Sequence, residues 1–203
     1  MAKEWKTFGE CLRDHAIFLG QLPYIMYAYV SMFDAKTVES IMLTVNSVNR
    51  CSYCTGLHGE LARLSGLSDK NLENTPAVCF SRNFAKTDGK DIPKLLKDAK
   101  VKDGDQSRVV ALSYFLYWGS YGGNTINSFV FCKSPSLFNL LFTMYYGILY
   151  VVILLTTGLL KVIPGPVPAI VSSVLGVVLT ICAGSFILPI GVVGKTAVLL
   201  NLV

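Results

Sequence analysis

The stretch Glu39-Ser-Ile-Met-Leu-Thr-Val-Asn-Ser-Val-Asn-Arg-Cys51-Ser-Tyr53-Cys54-Thr-Gly-Leu-His58 sets the end of one helix against the start of the next. Asp34 suits the N-cap of a helix over 35–48, because its carboxylate can accept from the first free amides, and Glu39 then falls in the early turns. Asn49 and Arg50 form a short connection. A second helix runs from Cys51 to Gly66, a residue suited to the left-handed position that ends helices. At about 100° per residue, Cys51, Cys54 and His58 fall within roughly 60° of one another on one helical face. A disulfide and a hydrogen-bonding imidazole one turn further on are both sterically reasonable. Glu39, on a helix running back past this one, reaches the same spot as a proton acceptor.

The thiolate is the reactive form of cysteine, and a place in the first turn of a helix lowers its pKa through the exposed amides and the dipole. Splitting a peroxide takes a thiolate, a proton for the departing oxygen and a second thiol to resolve the sulfenic acid. Cys51, Cys54, His58 and Glu39 supply all three. Plainer uses exist for each. Cys51, Cys54, His58 and Cys79 would make a Cys3His zinc set, although the chain has no second Cys-x2-Cys pair. Glu39 alone reads as a solvated helix residue and His58 alone as a surface one; only the joint spacing points to chemistry.

Outward from this core, apolar residues recur at helical spacing from Trp5 to Phe33, with Gly20 and Pro23 predicting a break between two helices. Ser68 and Thr75-Pro76 predict two further helix starts. Residues 86–105 are densely charged and predict a short solvated helix within a surface loop. A strongly apolar helix is expected from Val109 to Tyr121, ended by Gly122-Gly123, with another from Asn124 to Phe131. The aromatic clusters at 24–33 and 114–121 read as packing. So do Cys11, Cys79, Cys132 and Cys182, while His15 reads as structural.

After Lys133 the pattern changes. Residues 134–160 and 162–194 carry no charge, and Lys161-Val-Ile-Pro-Gly-Pro turns between them. Each run exceeds the ~20 apolar residues that cross a bilayer core as a helix, where every backbone amide must be paired internally. The expectation is a helical domain over 1–133 followed by a membrane hairpin of two helices over 134–203. Buried helices of a soluble core are the alternative. Composition agrees: 52% hydrophobic and 15% charged, against about 25% charged in ordinary soluble domains, with a mean hydropathy of +0.50. Of 18 Lys and Arg only Lys161 and Lys195 lie beyond 133, so the front carries 16 basic against 13 acidic residues. That interleaved +3 excludes a nucleic-acid footprint. The basic front predicts a domain on the cytoplasmic or matrix/stromal side, an organellar membrane included. The N-terminus has acid and aromatic residues where a secretory signal has its apolar run.

The pattern Glu-x11-Cys-x2-Cys-x3-His, carried by Glu39, Cys51, Cys54 and His58 and followed by Leu61-Ala-Arg-Leu-Ser-Gly66, resembles the core of the alkylhydroperoxidase D and carboxymuconolactone decarboxylase superfamily. The resemblance covers about residues 20–130. It implies an all-α fold, usually oligomeric, with Cys54 as the peroxidatic thiol, Cys51 as the resolving thiol, and Glu39 and His58 in a proton relay. Tyr53 stands where well-known members have a further histidine. Ala111 to Phe129, with Asn124 and Asn127, loosely resembles the second conserved helix. The decarboxylase branch lacks the cysteine pair, so the pair favours redox work. The implied activity is a thiol-dependent peroxidase or disulfide oxidoreductase acting on organic or lipid hydroperoxides. It needs no metal, flavin or haem, only an external dithiol reductant or peroxiredoxin-like partner. The rival expectation is a structural or accessory subunit of a large respiratory or photosynthetic membrane complex. The two apolar spans lie outside the ordinary family pattern.

Overall fold

The computed structural model describes residues 2–31, 34–67, 74–131 and 136–202, and among these the chain is all-helical, with eight helices. They are α1 (Phe8–Val30), α2 (Ala35–Asn49), α3 (Ser52–Ser65), α4 (Pro76–Thr87), α5 (Ile92–Ala99), α6 (Asp103–Val130), α7 (Leu137–Lys161) and α8 (Ala169–Leu199). Side-chain caps fix several starts. Asp34 accepts from the Lys36 amide, Cys51 from the Cys54 amide and Thr75 from the Val78 amide, with Pro76 in the first turn of α4. Gly66 ends α3 at φ 77°, as the sequence predicts. The helix start expected at Ser68, the Lys133 boundary and Cys132 lie outside the described residues.

Two expected breaks are absent. α1 runs unbroken through Gly20 and Pro23. Proline there removes one intrahelical hydrogen bond, but α1 packs along α8 for its whole length. Gly176, Gly184, Gly191 and Gly194 of α8 meet Tyr29, Leu22, Leu19 and Leu12 in turn, so the two helices lie antiparallel at close range. α6 likewise continues through Gly122-Gly123. An added Cβ would fall 2.5 Å from the Tyr150 hydroxyl at Gly122 and 2.6 Å from Cys51 Sγ at Gly123, so these glycines serve close packing and not a turn.

One hydrophobic core runs across the 133/134 boundary. Trp5, Phe18, Ile41, Leu112 and Trp118 share it with Phe142, Tyr146 and Ile187 of the C-terminal helices. α7 packs on α3 and α6, α8 packs on α1, and α7 and α8 touch each other little. Arg63 ties α3 to the end of α7 by donating to the Leu160 carbonyl at 2.8 Å, and the Val167 amide donates to the Leu64 carbonyl at 2.8 Å. α7, and α8 from Ser173, are long and apolar enough to cross a membrane. Their outward faces, including Met144, Ile148 and Leu155 on α7 and Val174, Ile181 and Val192 on α8, are exposed.

Candidate functional site

The α2–α3 junction is built to hold Cys51. α2 ends with Arg50 in the left-handed region at φ 61°, which turns the chain sharply. Asn46 Oδ1 then accepts from the Cys51 amide at 3.0 Å, while Asn46 Nδ2 donates to Thr55 Oγ1 at 2.6 Å on the far side of the turn. α6 clamps the same junction. Asn49 donates to Ser120 Oγ, and Asn124 to the Asn49 carbonyl, both at 2.8 Å; Asn127 donates to Ser52 Oγ at 3.1 Å. Gly123 gives Cys51 Sγ its room.

Cys51 caps α3, its sulfur accepting from the Cys54 amide at 3.3 Å, and Cys54 Sγ donates to Cys51 Sγ at 2.7 Å. Both thiols are free and buried. This geometry splits the two sulfurs. The thiol proton of Cys54, aided by the Cys54 and Tyr53 amides, holds Cys51 below the usual thiol range against the cost of its burial. Burial and the donated proton push Cys54 the other way. Of the two sulfurs, Cys51 therefore gives up its proton more readily and Cys54 holds its own more tightly.

Glu39 and His58 are not surface residues: they are 5% and 6% exposed, and His58 Nδ1 lies 2.8 Å from Glu39 Oε2. With Nδ1 held by the carboxylate, Nε2 of the ring meets no hydrogen-bond partner among the described residues. His58 and Cys54 line one cavity of about 60 Å³, whose other walls are apolar and aromatic side chains of α1, α6, α7 and α8. Tyr53 lies beside the pair, packing edge-on against Tyr150 at 5.2 Å. Cys79, on α4, does not join the cluster: among the described residues no three His, Cys, Asp or Glu side chains gather as metal ligands would.

The structure thus brings together Glu39, Cys51, Cys54 and His58, with Tyr53 at their edge. Two groups of residues escape the sequence reading of the site. Asn46, Asn49 and Thr55 set the junction, and the signal for them is asparagine, a poor helix former, twice in the last turn of α2. The cavity walls come from helices far along the chain, and no local signal marks them. No protein-family model, curated protein or solved structure matches this chain.

Proposed function

We propose that the chain is a membrane-tethered, thiol-dependent peroxidase or disulfide oxidoreductase acting on organic or lipid hydroperoxides through an alkylhydroperoxidase D-like Cys51–Cys54 centre. One observation carries this reading: Cys54, one sulfur of a contacting thiol pair at a helix start, shares its cavity with an imidazole that a buried carboxylate holds. Cys54 is the nucleophile because its thiol lines the cavity. Once Cys51 has given up its proton, Cys54 sulfur attacks the terminal peroxide oxygen while its own proton passes to Cys51 sulfur 2.7 Å away, and a proton delivered through His58 goes to the leaving alkoxide, released as the alcohol. Cys51 then attacks the sulfenic acid, and its proton leaves with the hydroxyl as water. The balance is two thiols and a hydroperoxide to one disulfide, an alcohol and water. An external dithiol or peroxiredoxin-like protein restores the pair. α7 and α8 supply the membrane anchor, with the soluble surface on the cytoplasmic or matrix/stromal side.

The full chain in lipid nanodiscs, given dithiothreitol and an alkyl hydroperoxide, tests this. Peroxide loss that disappears in Cys54→Ser supports the reading; no loss in the wild type with any dithiol ends it.

A second reading, an accessory subunit of a large membrane complex, is favoured by the opposite flank. Asp88, at the end of α4, accepts from the Tyr121 hydroxyl on α6 at 2.9 Å, while Gly119 and Gly122 of α6 meet Tyr150, halfway along α7. The α4–α5 flank, with the exposed Lys86, Lys90, Lys94 and Lys97, therefore stands across α6 from the middle of an apolar helix. Lipid does not solvate such a flank, and a partner protein does. Purification only at fixed stoichiometry with other subunits would favour this reading.

A further inference from the structure

The cavity beside Cys54 lies at the middle of the two apolar helices, not at their ends. It meets α7 between residues 149 and 153 and α8 between 179 and 183, close to the midpoints of Leu137–Lys161 and Ala169–Leu199. Its floor is closed: Cys54, His58, Leu116 and Tyr150 are each less than a tenth exposed. Its rim is not. Val152 is 40% exposed, and Leu179 and Cys182 keep partial exposure. This rim falls where α7 and α8 hardly touch, since α8 follows α1 while α7 follows α3 and α6. The cavity therefore opens as a slot between two apolar helices, on a flank where Leu155, Val178 and Ile181 are exposed.

We propose that this slot is the substrate entrance, and that it admits from the lipid side the hydroperoxyl group of an oxidised acyl chain while the chain itself stays in the bilayer. The proposal rests on the peroxidase reading above and gives α7 and α8 a second role, as the wall that selects substrate. Size supports it: about 60 Å³ is well below the ~150 Å³ apolar cavity that takes up benzene. A peroxide group with a carbon or two fits the floor, whereas an aromatic ring or quinone head does not. Chemistry supports it too. His58 carries a ring nitrogen without a partner among the described residues there, and through it a proton reaches the alkoxide. Depth agrees as well, because a hydroperoxyl group on an inner carbon of an acyl chain lies within the hydrocarbon core, where the midpoint of a crossing helix also lies.

The test uses the full chain in nanodiscs with dithiothreitol, comparing phosphatidylcholine hydroperoxide in the disc with hydrogen peroxide in the buffer. The expected result is a higher kcat/KM for the lipid hydroperoxide, and a fall of about tenfold or more in the lipid-to-hydrogen-peroxide ratio for Val152→Trp, which narrows the rim. Leu154→Trp, exposed on the same helix but about 200° round it from Val152, leaves that ratio unmoved. Cys182 gives a readout that needs no variant: an alkyl-tailed maleimide dissolved in the lipid should label it faster than a charged, water-borne one. If hydrogen peroxide is consumed but the ratio is the same in both tryptophan variants, or Cys182 reacts only from water, the entrance is wrong and the peroxidase reading stands. If neither peroxide is consumed, both fall together.

Discussion

Two Cys-x3-His pairs lie on helices of this chain, Cys11 with His15 on α1 and Cys54 with His58 on α3, and their surroundings are opposite. His15 is fully enclosed. Its Nδ1 donates to the Cys11 carbonyl at 2.7 Å, and its Nε2 accepts from Trp118 Nε1 at 2.9 Å and from the Tyr146 hydroxyl at 2.6 Å. The neighbouring Asp14 is turned to Trp5 and Tyr117. Burial raises the Cys11 thiol far above its usual range and lowers His15 to about 4. His58 keeps a nitrogen without a partner among the described residues, a carboxylate behind it, a second thiol nearby and a cavity in front. The same spacing on the same type of element thus gives a locked core residue in one place and an imidazole facing a cavity in the other. What separates them is the second sulfur, the acid partner and the empty space.

The sharpest way to break that contrast is to remove one sulfur from each pair. Cys54→Ser should abolish peroxide consumption, whereas Cys11→Ser should leave turnover within about twofold, since its thiol is only packing. Cys51→Ser should permit one turnover and then stall as the sulfenic acid, visible by trapping with a cyclic dione. Equal losses in Cys11→Ser and Cys54→Ser would mean that both pairs are structural.

The imidazoles come next. His58→Ala and Glu39→Gln should each slow the reaction by about 10²- to 10⁴-fold, the range for losing a general acid or its support. His15→Gln should lower stability and leave kcat near wild type. A stopped-flow comparison at matched folded fraction distinguishes them, and a rate loss in His15→Gln as large as in His58→Ala would erase the distinction.

Acid should then unfold the protein through His15. Its folded pKa, about 4, lies below the ordinary value of 6.5, so the unfolded chain binds a proton that the native one refuses. The contribution is therefore complete above pH 6.5 and is lost as pH falls towards 4, about 3 kcal/mol over that window. Asp14, whose pKa burial raises, titrates in the opposite sense. The difference between wild type and His15→Gln, from denaturant midpoints at pH 7 and 4.5, isolates the histidine. Parallel pH profiles for the two proteins would count against the buried neutral imidazole.

Much of this contrast was legible in the sequence, for physical reasons that differ by residue. α2, α3 and α4 were readable because Asp34, Gly66 and Thr75-Pro76 are local signals acting on the backbone within one turn. Cys51, Cys54 and His58 were readable because helical geometry puts them on one face, and Glu39 because its helix runs back past theirs. The continuity of α1 and α6 was not. Pro23 and Gly122-Gly123 are breakers by local propensity, and only packing against α8, Tyr150 and Cys51 overrides it. The cavity was equally hidden, since its walls are drawn from five helices.

The smallest effect tests the packing that sets the reactive pair. Gly123 lies against Cys51 at the start of α3 and Gly191 against His15 and Leu19 of α1. A Cβ at Gly123 would fall 2.6 Å from Cys51 Sγ and 3.2 Å from Tyr53, whereas one at Gly191 would fall 3.0 Å from Leu19 and 3.2 Å from the His15 carbonyl. Overpacking of this kind costs about 1–3 kcal/mol in either place. The consequences diverge because the atom displaced at Gly123 is the sulfur itself. Gly123→Ala must turn Cys51 away from Cys54 or push α6 off the junction that Asn124 and Asn127 hold. Both variants should therefore melt earlier than wild type, but only Gly123→Ala should shift the dithiol–disulfide equilibrium against glutathione. Gly59→Ala, where a Cβ meets nothing within 4 Å, is the control on α3 and should gain up to about 1 kcal/mol from helix propensity. If Gly123→Ala and Gly191→Ala leave the redox equilibrium equally unmoved, the contact between α6 and Cys51 is ordinary packing, and the reactive pair owes its poise to α2 and α3 alone.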